Sequence, residues 1–504
     1  MSFDWFKEKT TKKFVGMFTS DFWETLVFQA SAQEPAVRHA IVALSAAHRF
    51  DSNYGPWTVP ATQGFDAEKF TLQQYNKAIH YLRSSPTTNN KNDLRVILIT
   101  CLIFVTLEYL RGQYRSGSAH LRYGIQLLSE LSTHVATIET RPTMSPNHSG
   151  PAEDFAHSTL VDSYARLTIQ SAMFGIVPSR MCVMTRDPPL NDPQYLFKSM
   201  IDARQTLDDL LNRIKCLKEN HHNAKELGEP VDHAQEFSIQ SKIKEHLLLW
   251  RTAYDTKLAC LNPDIDRRDL VSSILLKIYH EMATIMAAVS LSDNEMAFDA
   301  YTDNFIAIIA GFFELWNTWS SLNAQDQNIE ELLKSPECGG HSFTIESGYI
   351  PPVYYTALKC RIPRIRRQAV RTLRSVPHRE GVWDGPMLAD VLEEVINIEE
   401  GDTHCGNWEL DVPIEYSEPI ECHFSLPNVP EMSRISDVKV ILPDAIDEFQ
   451  GDTLITYKKM MLDGSWVAFQ RKVGPGVLSG WQLHTGGIHY EKRPPEMEQL
   501  DYLF

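Results

Sequence analysis

The sequence predicts a mainly α protein: a multi-helix, antiparallel helix-pair domain with a small antiparallel β appendage near its C-terminus. Three observations predict it. Apolar residues recur at helical spacing through most of the chain up to Asp402, and polar breaks rich in Pro, Ser and Asn separate those stretches. Strand composition with a hairpin signal sets in only after Asp402.

The elements follow in order. Ser31-Ala32-Gln33-Glu34 fits a capping box, Pro35 suits a first helical turn, and Val37, Ala40, Ile41, Leu44 and Ala47 form one apolar stripe. A second helix is expected from Ala67 to Arg83, with Phe70, Tyr75, Ile79 and Leu82 inward. The run Leu94 to Leu110 is the longest apolar stretch, but it is broken by Arg95, Thr100, Thr106 and Glu108. It also falls about three residues short of the ~20 that span a membrane, so it reads as a core helix. Another helix is expected from Tyr114 to Leu131. Thr, Ser, Pro, Asn and Gly then mark a linker over 134–157. Helical patterning resumes near Ser158 and continues over Met200 to Leu217, Phe237 to Leu261, Leu270 to Val289, Asp303 to Leu322, Val353 to Leu373 and Pro386 to Glu400. Val438 to Leu442 and Thr453 to Tyr457 read as strands, and Leu462-Asp463-Gly464-Ser465 as a hairpin turn. The expected organisation is an N-terminal segment 1–20, a helical subdomain 21–133, the linker 134–157, a central helical domain 158–402 and a β-rich appendage 403–504.

Composition removes several function classes. A net charge of -17 over 504 residues opposes nucleic-acid binding, which needs Lys and Arg on phosphates. No secretory signal follows Met1, so the eight cysteines are expected as reduced thiols. No two cysteines lie closer than 17 positions, which excludes any Cys-x2-Cys zinc or redox element within the chain. The sequon at Asn147-His148-Ser149 then carries no consequence.

Several constellations were weighed as sites. Lys359, Arg361, Arg364, Arg366, Arg367, Arg371, Arg374 and Arg379 form the best phosphate candidate, although a solvated helix face paired with acids explains the run better in so acidic a chain. Lys7, Lys9, Lys12 and Lys13 are too dispersed for an import signal of any weight. His404-Cys405 and Cys422-His423 have metal-ligand composition, but adjacent strand residues point to opposite faces. His280-Glu281 starts like a zinc-protease helix, and Thr284 stands where the second His is required. Gly474-Pro475-Gly476 and Gly486-Gly487 lack the strand-then-helix context of a phosphate cradle. Polar groups on apolar helices point best to a ligand cavity: Glu108, His120, Gln170, Tyr354 and Tyr355. For Glu108 the competing reading is a structural salt bridge, with Arg111 or Arg115 as partner.

Several segments, in order, resemble the regulatory middle region of fungal binuclear zinc-cluster (six-cysteine) transcription factors. They are Phe22-Trp23 with Glu34 to Leu44, Tyr75 to Ile79, Cys101 to Gly112, Ala297-Phe298-Asp299, Ile350 to Arg361 and Arg379 to Asp384, spanning residues 20 to 402. The resemblance implies an all-helical regulatory region, and the zinc cluster that would precede it in the family is missing from this chain. A truncated gene, a co-regulator without DNA contacts of its own, and a scaffold adapted to another task are the three explanations. The expected function is transcriptional regulation through other regulatory proteins and a small-molecule effector. Neither sequence-specific DNA binding by this chain nor membrane association is expected, and nor is a cofactor or metal; the location is nucleus or cytoplasm. The rival is a cofactor-independent enzyme or ligand-binding protein of a secondary-metabolite pathway on the same scaffold.

Overall fold

The structure, a computed structural model, describes residues 2–54, 64–84, 91–139, 151–175, 195–260, 266–324, 342–375, 378–401, 429–443 and 453–473. The fold is mainly helical, with consecutive helices packed on one another. Helices α1 (residues 2–14) and α2 (22–33) each contain a π-helical stretch, at Phe6–Thr10 and Phe22–Leu26. They are followed by α3 (Pro35–Tyr54), α4 (Gly64–Ser84), α5 (Lys91–Leu110), α6 (Tyr114–Glu139) and α7 (Pro151–Phe174). Next come α8 (Met200–Leu227), α9 (His233–Ala259), α10 (Arg267–Val289) and α11 (Thr302–Ala324), the last preceded by a 3-10 turn at Glu295–Tyr301. Helices α12 (Ile350–Lys359), α13 (Pro363–Ser375) and α14 (Gly385–Glu400) complete the set.

The apolar run becomes the core helix it was read as. Leu98, Ile103, Val105, Leu107 and Leu110 of α5 are fully buried, each contributing about 1.5–3 kcal/mol. The Tyr164 hydroxyl of α7 donates to the Leu98 carbonyl at 3.0 Å, tying α7 to α5. Helix α10 is long and apolar enough to cross a membrane by length and composition, yet its most apolar window is 67% buried among α8, α9, α11 and α12. It is a core helix that passes the same test as a membrane span.

Several boundaries differ from the sequence reading. Ser31 lies inside α2, where its hydroxyl donates to the Phe28 carbonyl, so no capping box forms; Glu34 is instead the one extended residue between two helices. Helix α6 continues to Glu139, past the start of the expected linker, and α7 begins at Pro151. Phe70 is exposed. The stretch Val353 to Leu373 is two helices, because Pro363 cannot donate into a continuing ladder. Cys216 is disulfide-bonded while Cys101, Cys260 and Cys360 are free. The compartment rule behind the thiol expectation is statistical and does not decide any one cysteine.

Two small sheets accompany the helices. Strand β1 (Ser342–Thr344) runs parallel to β2 (His378–Glu380), which pairs antiparallel with β3 (Trp383–Asp384). These strands are too short for alternation to reveal. The expected appendage is the meander β4 (Ile435–Ile441), β5 (Thr453–Met460) and β6 (Trp466–Val473). Its hairpin closes with Met460 opposite Trp466, and Gly464 takes the positive φ of 82° that the turn needs.

Candidate functional site

The basic run is not a solvated face. Its acids arrive from distant elements, and most of its charges are buried with them. Arg361 bridges Glu295 at 3.0 Å and Glu399 at 2.9 Å, while Lys359 takes the other oxygen of Glu295 at 2.7 Å. Arg366, fully buried, donates to Glu399 at 2.5 Å and to the Ala357 carbonyl at 2.8 Å; Arg367 reaches Glu400 at 3.2 Å. Glu399 also accepts the Ile435 N–H of β4 at 3.0 Å, and the neighbouring Arg434 forks onto Asp299 at 2.6 and 2.8 Å. The network therefore joins the Glu295 turn, α12, α13, α14 and the appendage. Burial alone would raise the Glu399 carboxyl, but Arg361 and Arg366 outweigh it and hold it down to about 2. Arg379 leaves the run altogether: it pairs with Asp51 of α3 at 3.2 Å, over the Phe343 ring. Arg374 matches the solvated-face reading, exposed beside Asp390 and Glu393.

A second charged cluster lies where α7 and α8 meet the loop after β1. Arg204 donates to Glu346 at 2.5 Å, and Arg166 approaches the same oxygen at 3.4 Å. Asp208, one turn beyond Arg204, stands 3.8 Å from each guanidinium, and its Oδ2 accepts no hydrogen bond. Burial pushes Asp208 up to about 6 despite those two arginines. Glu346 is held below its ordinary value: burial is opposed by Arg166, then Arg204. Two small cavities flank this cluster. One, about 20 Å³, is lined by Phe22, Trp23, Thr106, Arg166, Gln170 and Glu346 among others; the second, about 30 Å³, by Phe18, Arg166, Arg204, Asp208, Leu276 and Tyr279 among others.

Gln170 is the sequence-predicted residue that reaches a cavity. The residue is 3% exposed, and its Nε2 has no hydrogen-bond partner among the described residues. Glu108 and His120 come together elsewhere, around Tyr75. The Tyr75 hydroxyl lies 2.8 Å from His120 Nε2, and its proton is held by burial and then by the Glu108 carboxylate. Glu108 pairs with Arg111 at 3.2 Å, which is the structural salt bridge weighed from the sequence. Burial lowers His120 to about 4, leaving it neutral near pH 7. Tyr354 is buried edge-on against Trp383 with ring centroids 5.3 Å apart, and half-buried Tyr355 lies between Phe298 and Phe305. The structure thus divides the five residues among four places.

Sequence reasoning missed Arg166, Arg204, Asp208 and Glu346. A signal existed for the first: Ser163, Arg166, Leu167 and Gln170 lie at helical spacing, and all four line one cavity. Glu380 was missed too. Fully buried, it accepts the N–H of Gly348 at 2.7 Å and of Ile350 at 3.3 Å, closing the start of α12. A Cβ at Gly348 would run into that carboxylate. Burial raises Glu380 to about 8 against the pull of those amides. His280 stacks on Trp250 at 5.1 Å and lies 3.0 Å from the Leu247 carbonyl, a packed core histidine. The pairs His404-Cys405 and Cys422-His423 and the late glycines lie outside the described residues.

The chain matches the fungal specific transcription factor domain over residues 4–298. It is 27% identical over 143 residues to the transcription regulator lscL of Purpureocillium lilacinum, covering 27% of this chain and 32% of that protein. It is 29% identical over 104 residues to the aspercryptin biosynthesis cluster-specific transcription regulator atnN of Emericella nidulans, covering 21% of this chain and 17% of that regulator. The chain therefore aligns with about a third or less of the length of these relatives. No solved structure matches it. With more than half of its length matched, this chain belongs to the fungal specific transcription factor domain family.

Proposed function

We propose that this chain regulates transcription of a biosynthetic gene cluster from the nucleus, acting through other regulatory proteins and responding to a small-molecule effector held beside Arg166. The observation that carries the effector is Gln170, a residue lining a charge-lined cavity whose amide donor has no partner among the described residues, in a member of a transcription factor family. A buried donor left unmade costs about 1–3 kcal/mol, a cost that a bound acceptor would relieve. The relatives' names support the regulatory role, and one of them is named as cluster-specific.

Direct DNA recognition is assigned to a partner. The net charge of -17 and the use of Arg361, Arg366 and Arg367 on buried acids support that division. Deleting the gene and measuring transcripts tests the role: a coordinated fall in one neighbouring set of biosynthetic transcripts is expected. Unchanged transcripts, or sequence-specific gel-shift binding by the purified chain alone, would overturn it. Turnover of a pathway intermediate by the purified protein with transcripts unchanged would favour the enzyme reading instead.

A further inference from the structure

Helix α9 is packed along one side. Ile243, Leu247, Trp250 and Tyr254 recur at helical spacing and are buried against α8 and α10. The Trp250 indole donates to the Ala203 carbonyl at 2.9 Å, and the Tyr254 hydroxyl to the Ser273 carbonyl at 2.6 Å. The opposite side of a surface helix is normally polar. Here it carries Phe237 and Leu248, three turns apart and 56% and 71% exposed. Leu248 is the most exposed large apolar side chain on any described helix. The same outward stripe holds Ala234, Ser241, Thr252 and Ala259, all exposed and small enough for a second backbone to come close.

Charge is divided along this stripe. Between Phe237 and Leu248 the exposed charges are Lys242, Lys244 and Glu245, and the Lys244 ammonium has no ion-pair partner among the described residues. Beyond Leu248 one guanidinium serves two acids: Arg251 holds Asp255 at 2.9 Å and Glu281 at 3.2 Å. Lys257 turns away from them to the Lys198 carbonyl. One half of the stripe therefore has surplus positive charge and the other surplus negative charge. Two such helices laid parallel set like halves together; laid antiparallel, they set opposite halves together. With a net charge of -17, two copies of this chain repel at a distance, which favours contact where the local charge complements itself.

We propose that the outward stripe of α9 is a self-association surface, on which a second copy of this chain docks its own α9 antiparallel about a two-fold axis level with Leu249 and Trp250. Such an axis sets each flank of the helix against the same flank of the partner. Lys244 and Asp255 share one flank, three turns apart and equally far from the axis, so each Lys244 meets the partner's Asp255. Leu248 packs on the partner's Leu248 beside the axis, and Phe237 reaches the partner's Ala259. A helix of 27 residues is about 40 Å long, so the pair buries an area at the low end of stable interfaces and a micromolar dimer is expected. The pairing needs no effector and does not rest on the function proposed above.

Sedimentation of the intact chain across the micromolar range tests it, with a monomer–dimer equilibrium expected. Leu248→Glu is expected to weaken the dimer about a hundredfold, because it replaces the central contact in both copies. Lys244→Glu is expected to weaken it about tenfold, and adding Asp255→Lys to restore it. All three side chains are exposed, so these variants should keep the fold, which circular dichroism checks. Crosslinking gives a second reading that does not depend on affinity. Cys260 is free and exposed, so Cys260→Ser supplies the background. Leu248→Cys is expected to join two copies on mild oxidation. Phe237→Cys, whose two copies lie at opposite ends of the antiparallel pair, is expected not to. A monomer throughout the range, a dimer that survives Leu248→Glu, or equal crosslinking through both positions (the mark of parallel pairing) overturns the proposal.

Discussion

Two clusters of buried charge stand out among the described residues, and they differ in how short their ion pairs are. Both carboxylate oxygens of Glu399 are taken, by Arg361, by Arg366 and by the backbone of Ile435, while Arg361 Nε and Arg366 Nη1 make no hydrogen bond among the described residues. Around Arg166 the ion pairs other than Arg204–Glu346 are longer, at 3.4 to 3.8 Å, and the cluster borders two small cavities. Short charge pairs that join several elements hold those elements in place, and longer pairs beside a cavity hold less.

The comparison breaks first at Glu399. Replacing it by Ala leaves Arg361 and Arg366 buried without that partner and should cost about 3–5 kcal/mol, read as a fall in the denaturant midpoint. The appendage should loosen at the same time, seen as faster hydrogen exchange at Ile435.

A pH series sharpens it next, because two buried glutamates respond with opposite sign. Glu399 is depressed from 4.5 to about 2, so its contribution is full above pH 4.5 and lost as pH falls towards 2. Glu380 is raised from 4.5 to about 8, so its contribution is full below pH 4.5 and lost as pH rises through 8. This glutamate should therefore lower the melting temperature progressively between about pH 5 and pH 8 and add no further slope above that. Glu380→Gln should flatten that limb by an effect on the order of a few kcal/mol, and an unflattened limb would refute the assignment.

Gln170→Leu probes the open cluster and should move stability by less than about 1 kcal/mol, since it removes a donor that nothing satisfies. A loss as large as that of Glu399→Ala would show that the two clusters do not differ in kind. Smallest of all is Arg374→Ala. Its partners Asp390 and Glu393 are on the surface, and about 0.5 kcal/mol or less is expected, vanishing in high salt.

What the sequence disclosed tracks the range of the forces involved. Local patterning gave the helices, and Asp463-Gly464 gave the hairpin, because periodicity and turn chemistry are written in adjacent residues. Ser31 misled for the same reason: its spacing to Glu34 was right for a cap, but the helix already running through it had no need of one. The basic run misled for the opposite reason. Glu295 lies 66 positions from Arg361 and Glu399 lies 38, so no local window shows that these charges meet indoors. Gln170 was legible as a polar residue on an apolar helix, whereas Glu346 and Arg204, 142 positions apart, were not.

The stretch that matches the family stops at residue 298, inside the turn Glu295–Tyr301, yet Glu295 is gripped by Lys359 and Arg361 from beyond that point. A crossover placed there by recombination, or a chimera engineered there, would hand one descendant a buried acid and the other its bases. The matched segment is thus not the unit that can be inherited whole; that unit runs on at least through Ile435, and swaps between relatives should be cut accordingly.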